Sequence, residues 1–251
     1  MSRWGIVVAT KKGDFILVNY VCRVKETGEI VESTMGEGHP HEEHPHEPLL
    51  VVVGEGWVPK GLDEALEGVE VGQRLEVEVP PSKGFGERDL SKVRLLPLRR
   101  FTREGVNPTP GMQVEVNGRP AIVRSVGAGR VQVDFNHPLA GKTLLYEVTV
   151  EKALRTRAEK VKALIHRRLP SVDLEKLGLK ITPKEVAVEL PEESFFLEGL
   201  QLAKRQISSD IQKYIPGIVE TSFIERFKAA EASSEQSQGQ GSPREDSGSS
   251  P

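Results

Sequence analysis

The 251-residue chain has one cysteine, Cys22, so no intramolecular disulfide can hold it together and the fold has to rest on buried apolar surface. Cys22 itself stands in an apolar run and reads as a small buried hydrophobe. Long apolar runs are missing as well: none approaches the roughly 20 residues a helix needs to span a bilayer. "WGIVVA" at the start is too short for a secretory signal and lacks a cleavage pattern. A cytoplasmic protein with no membrane partner is the expectation. Charge of one sign is also lacking. Lys and Arg number 34 against 37 Asp and Glu, a net charge of −3, which gives no reason to expect a nucleic-acid partner. Small basic spots at Arg99, Arg100 and Arg103, and along 155–168, have acids close by and read as solvated faces. There is no phosphate-binding loop of the G-x-x-x-x-G-K-[ST] kind, no G-x-G-x-x-G after a strand and no nucleophile elbow. Hydrolase, kinase and dehydrogenase readings lose support accordingly.

What is present is a globular composition, 37% apolar and 28% charged, on a chain long enough for one large domain or two to three smaller ones. In "DFILVNYVCRV" (14–24) the residues Ile16, Val18, Tyr20, Cys22 and Val24 share one face of a strand buried on both sides or nearly so. A turn at Thr27-Gly28, a second strand and the buried strand "LLVVVG" follow. "PKGLDEALEGVEVG" predicts a short helix with Pro59 near its start and Gly68 past its end. "QRLEVEV" and, far downstream, "LLYEVTVEKAL" alternate as strands with one wet face. Several antiparallel strands and one short helix give an α+β domain whose sheet wraps the helix.

Between those last two strands lies a self-contained insertion. Asn117-Gly118 is a type I′ hairpin signal between alternating runs, and "GAG" at 127–129 marks a second turn, so three or four short strands make a small β-module. After residue 152 the pattern changes to a small α/β region. "TRAEKVKALIHRRL" is an amphipathic helix with Val161, Leu164 and Ile165 inward, and "KEVAVEL" a strand. A helix is expected to open at Pro191 and two glutamates, and "GIVETSFIERF" is a final strand. This region is read as folding alone or pairing with a copy of itself. From Ala229 the composition turns to Ser, Gly, Gln, Glu and Pro and predicts disorder. The expected domains are 1–96 with 138–152, the insertion 97–137, the C-terminal α/β domain 153–228 and the tail 229–251.

"GHPHEEHPHEP" (38–48) concentrates His39, His41, His44 and His46, four of the six histidines. The pattern can offer imidazoles to a soft divalent ion such as nickel or zinc. Pro40, Pro45 and Pro48 deny the stretch a regular helix or strand, and four interleaved glutamates favour solvation. Metal site and decorated loop both stay open.

The order of elements resembles the FKBP-type peptidyl-prolyl cis-trans isomerases, most closely the SlyD-like branch with an insert-in-flap module. The resemblance rests on "DFILVNYVCRVKETGEIVEST", "PLLVVVGEGWVPKGLDEALEGVEVG", "VEVPPSKGFGERD" and "NHPLAGKTLLYEVTV", and covers residues 13–152. The C-terminal region is similar to the extra domain of long archaeal-type members. The resemblance implies an FKBP-like antiparallel half-barrel around a short helix, with an inserted small β-domain and a C-terminal α/β domain. It implies isomerase and chaperone activity on unfolded or partly folded proteins with X-Pro bonds, no required cofactor, and homodimerisation or chaperone support through the C-terminal domain. A domain that merely caps the first is the other reading of that region.

For the pocket, the resemblance implies Tyr20, Glu32, Leu49, Val58, Pro59, Leu62, Phe85 and Tyr146. Leu62 replaces a tryptophan, Phe85 a tyrosine and Tyr146 a phenylalanine; Val31 and Glu32 fall where the family usually has an aromatic and an aspartate. Taken singly, Leu62 is ordinary core, Tyr20 and Tyr146 are strand residues with a wet tip, and Glu32 is a strand-end charge. The departures at Val31, Glu32 and Phe85 also fit a non-catalytic holdase that kept the fold. A metal-handling protein built on the histidine stretch is a third reading.

Overall fold

A computed structural model describes residues 9–36 and 46–227; the expected tail 229–251 and His39, His41 and His44 lie outside the described residues. The first domain opens with β1 (Phe15–Val24), β2 (Ile30–Ser33), β3 (Leu49–Val52), the helix α1 (Lys60–Ala65) and β4 (Arg74–Val79). The inserted module follows, as β5 (Val93–Pro97), α2 (Leu98–Arg103), β6 (Gln113–Val116), β7 (Arg119–Gly127) and β8 (Arg130–Asp134). The chain then returns as β9 (Leu144–Leu154). The C-terminal domain comprises α3 (Arg157–Arg168), β10 (Gly178–Ile181), β11 (Glu185–Glu189), α4 (Leu200–Tyr214) and β12 (Glu220–Ile224).

The first sheet runs β2-β1-β9-β4, with β3 also on β1 and every pairing antiparallel. This is the α+β architecture expected, a sheet curved around α1. Alternation along β1 sends Ile16, Val18, Tyr20, Cys22 and Val24 to the α1 side, where they pack with Leu62 and Leu66. The opposite face is also covered. Phe15 of β1, Leu50 and Val52 of β3 and Leu154 of β9 form one core with Val161, Leu164 and Ile165 of α3 and with Ile207 and Ile211 of α4. The core of the C-terminal domain is therefore continuous with the outer face of the first sheet, which it covers.

The inserted module is a four-stranded sheet, β5-β8-β7-β6, folded over Phe101 of α2. Asn117 (φ 54°) and Gly118 (φ 71°) both take positive φ in the β6–β7 turn, as the Asn-Gly signal requires, and Ala128 (φ 47°) with Gly129 (φ 69°) repeat the geometry at the β7–β8 turn. The sheet begins at Val93 rather than at residue 97, because Val93–Pro97 pairs along its whole length with β8.

The C-terminal sheet, β10-β11-β12, is mixed, with β12 parallel to β11. Thr156 caps α3, its hydroxyl accepting from the Glu159 N–H while the Glu159 carboxylate accepts from the Thr156 N–H. The helix expected from Pro191 starts later. Pro191 opens only a single 3-10 turn, Glu192–Ser194, and α4 begins after Gly199, whose φ of 74° is left-handed. That reversal separates the two segments, and a residue with a Cβ is strained there.

Phe15 is 1% exposed and meets Tyr214 edge-on at 6.2 Å between ring centroids. Phe15→Ala is expected to destabilise the chain by about 3–5 kcal/mol in urea denaturation; a loss under about 1 kcal/mol would contradict a core shared between the domains.

Candidate active site

The register of β1, β9 and β4 assembles the floor of the site. Cys22 pairs with Tyr146 of β9, and Tyr146 in turn with Val77 of β4. The Tyr20 and Tyr146 rings lie 5.9 Å apart, tilted by 49°. Leu62, from the first turn of α1, is buried against the same face, and Leu49, Val58 and Val31 pack around it half-buried. Tyr20, Leu49, Val58, Leu62 and Tyr146 thus come together from β1, β3, the loop before α1, α1 and β9. Pro59 occupies the N-terminal cap of α1, where its carbonyl accepts from the Leu62 and Asp63 N–H groups at 2.9 Å each. Glu32, exposed on β2, pairs across the sheet with Cys22, and its carboxylate is close enough to the Tyr20 phenol to add to the rise in its pKa, after burial.

Phe85 is not part of that buried cluster. It sits 36% exposed on the turn after β4 and lies flat on the His137 ring, with centroids 4.4 Å apart and planes 7° from parallel. The competing partner is the segment that returns from the inserted module: Gly141 N–H donates to the Gly86 carbonyl at 2.9 Å, and this tie brings His137 beside the Phe85 turn. Asn136 fixes the same junction. Its side chain accepts from the Asp89 N–H at 3.0 Å and donates to the Asp89 carbonyl at 2.8 Å and to Asp134 at 2.7 Å. Asp134, fully buried, also accepts from Arg88 and Arg124. Burial alone would raise the Asp134 carboxyl, but these hydrogen bonds outweigh it and hold the pKa below the ordinary aspartate value.

Groups that the linear sequence did not single out shape the wall. The Asp63 carboxylate accepts the N–H groups of Gly54 and Gly56 at 2.8 Å each, holding the loop that carries Trp57 and Val58. Trp57 Nε1 donates to the Tyr214 hydroxyl of α4 at 3.0 Å, and the Arg167 guanidinium carbon stands 3.8 Å from the centre of the Trp57 ring. His166 Nε2 meets the Glu47 carboxylate at 2.8 and 2.9 Å. Tyr20, Glu32 and Leu49 open into a cavity of about 360 Å³ whose far wall is Ala163, His166, Arg167 and Pro170 of the C-terminal domain. The only local signals were an acid in the first turn of a short helix, for Asp63, and one of two tryptophans, for Trp57.

The floor carries no charge at neutral pH. Burial, and after it the Glu32 carboxylate, pushes the Tyr20 phenol far up; burial, and after it Cys22, does the same to Tyr146. Burial pushes the Cys22 thiol up to about 11, so it is not poised as a nucleophile. Of the histidine stretch, His46 is described and is exposed; among the described residues no group of three or more His, Cys, Asp or Glu is arranged to hold a metal ion.

The concave face of the half-barrel carries a neutral, apolar cluster with Tyr20 and Tyr146 at its centre, and only its Tyr20–Leu49 edge opens into the cavity. Comparison with known proteins gives the family. The model described as "FKBP26, IF domain" matches residues 94–139 and the model "FKBP26_C-terminal" matches 157–228. The chain is 33% identical over 154 residues to a short-type peptidyl-prolyl cis-trans isomerase of Methanocaldococcus jannaschii, covering 59% of this chain and 97% of that relative. It is 32% identical over 158 residues to the FKBP-type peptidyl-prolyl cis-trans isomerase SlyD of Treponema pallidum, covering 61% of this chain and 84% of that one. An FKBP-type 16 kDa isomerase of Escherichia coli is 26% identical over 140 residues, which cover 54% of this chain and 87% of the relative. The chain belongs to the FKBP-type peptidyl-prolyl cis-trans isomerases, in their SlyD-like branch.

Because both tyrosines are held neutral, isomerisation of a proline peptide is expected to show no loss with an apparent pKa near the ordinary tyrosine value of 10.0. A raised folded-state pKa favours the folded chain fully below the unfolded value and is lost above it, so stability, not turnover, should begin to fall above about pH 10. A titration of kcat/KM centred on pH 10 in the still-folded protein would contradict this.

Proposed function

We propose that this isomerase accelerates proline-limited folding of client chains and also holds their unfolded segments. The observation that carries the reading is the uncharged floor of Tyr20, Leu62 and Tyr146, ringed by Leu49 and Val58. An X-Pro bond rotates over a barrier of about 18–20 kcal/mol set by amide resonance. Uncatalysed, the exchange takes on the order of tens of seconds and limits folding. The twisted imide has lost that resonance and is less polar at carbon and nitrogen, so an apolar, water-poor cavity favours it over the planar ground state. The chemistry asks for no nucleophile or proton shuttle. Glu32 orients the Tyr20 hydroxyl, or a substrate amide, by hydrogen bonding.

The holding activity is assigned to the inserted module, which exposes Leu95, Met112 and Val126. Its junction is pinned by Asp134 and Asn136, so a captured segment stays near the pocket and its prolines gain effective concentration. Homodimerisation through the C-terminal domain belongs to the same proposal, supported by Phe196, Leu202, Val219 and Phe227, all exposed there. Phe85, exposed and stacked on His137, favours one competing reading, a holdase with the fold and little activity.

Refolding of a protein limited by a proline step separates these readings. The chain at catalytic concentration is expected to speed that step. Tyr20→Ala should lower the acceleration at least about tenfold, a loss of 1.4 kcal/mol or more of transition-state stabilisation, and leave suppression of aggregation in place. Suppression without acceleration in the unaltered chain would mean a holdase; full acceleration by Tyr20→Ala would mean the pocket is misassigned.

A further inference from the structure

The cavity beside the prolyl pocket has walls from two domains. Tyr20, Glu32, Pro48 and Leu49 form one side, and Ala163, Arg167 and Pro170, on and just after α3, form the other. Its charges are unequally matched. Glu47 is hydrogen-bonded to His166, which is a counter-charge only when its ring is protonated, and Glu32 stands near the Tyr20 phenol. In the last turn of α3, Arg168 is bound to Asp210 through Nε and a terminal nitrogen, at 3.3 and 3.0 Å. Its neighbour Arg167 instead stacks on Trp57 and, among the described residues, has no carboxylate in hydrogen-bond or ion-pair contact. Stacking fixes the guanidinium plane and leaves its edge N–H groups as donors, a geometry suited to a carboxylate. Burial lowers the Arg167 pKa, and a cation partly withdrawn from water gains more from a counter-charge than one in open solvent.

We propose that α3 is the second wall of the substrate groove and that Arg167 selects polypeptides carrying a carboxylate side chain within a residue or two of the isomerised proline. The inference rests on the prolyl pocket assigned above. An extended chain advances about 3.3 Å per residue, so a proline seated over Tyr20 carries its flanking residues along Leu49 and across to α3. Glu32 stands at the pocket end and repels an acid there, which sets the preferred carboxylate at the α3 end and not on the proline's immediate neighbour inside the pocket. Arg167 acts on specificity, outside the apolar floor, and its reach across the domain boundary gives the C-terminal domain a part in choosing substrates.

The test uses the full chain and pairs of proline peptides identical except for Glu or Gln at one position, placed in turn one and two residues before and after the proline. The ratio of kcat/KM for the Glu peptide to that for its Gln partner is expected to be roughly three- to tenfold at the best position, carried by KM, and to shrink as salt is raised. In Arg167→Gln the ratio should fall to about one, and in Arg167→Lys it should stay above one. Lys162→Gln, which removes the same charge from the same helix, should keep the wild-type ratio. A wild-type ratio of one at every position, or an undiminished ratio in Arg167→Gln, overturns the proposal. The Gln peptides report the pocket by themselves: a chain that turns over neither member of any pair overturns the pocket assignment along with it.

Discussion

Strand β1 is buried on both faces, and the rest of the molecule is organised by that constraint. Its even-numbered residues from Ile16 to Val24 look onto α1 and include the floor of the proposed pocket, while Phe15 looks the other way into the helices of the C-terminal domain. Its inner face is apolar or aromatic throughout, while Asn19 and Arg23 interrupt the outer one, half-buried. Burial of a large apolar side chain is worth about 1.5–3 kcal/mol, so the outer face would be a standing liability if α3 and α4 did not cover it. The shape of the pocket and the docking of the C-terminal domain are two consequences of one strand.

The two faces meet at the edge of the sheet. Trp57 belongs to the loop that carries the pocket residue Val58, yet its ring is held by Tyr214 and Arg167 of the other domain. Asp63 ties that loop back to α1 through two backbone N–H groups, and a carboxylate with two such partners is costly to remove. The pocket wall is therefore set jointly by α1 and by the C-terminal helices. At the opposite end, Asp134 and Asn136 lock the inserted module to the turn bearing Phe85, so the module is a fixed neighbour of the pocket and not a tethered one.

Much of this was legible in the sequence wherever the signal is local. The alternation of Ile16, Val18 and Tyr20, the Asn117-Gly118 turn and the stripe of Val161, Leu164 and Ile165 each report a backbone preference or a buried face directly. Even there a single residue misled: the acids after Pro191 read as a helix start, and the left-handed Gly199 postponed it. Resemblance supplied the pocket set, and the structure gathers Tyr20, Leu49, Val58, Leu62 and Tyr146 while sending Phe85 to His137. The partners that the sequence could not show are those joined across the chain. Trp57 and Tyr214 are 157 positions apart and Glu47 and His166 are 119 apart; nothing in the periodicity of one segment names its partner in another. Glu32 and Asn136, the first residue of "NHPLAGKTLLYEVTV", were visible as residues, but their surroundings depend on Tyr20 and Asp89, which only the fold brings to them.

Native-state hydrogen exchange of the amides in β1, β9 and α3 tests most directly whether the pocket strand and the C-terminal domain are one cooperative unit. Amides of the three elements are expected to exchange through openings of the same free energy, close to that of global unfolding. Exchange of α3 and α4 through a markedly cheaper opening, with β1 still fully protected, would contradict the shared core on which this account rests.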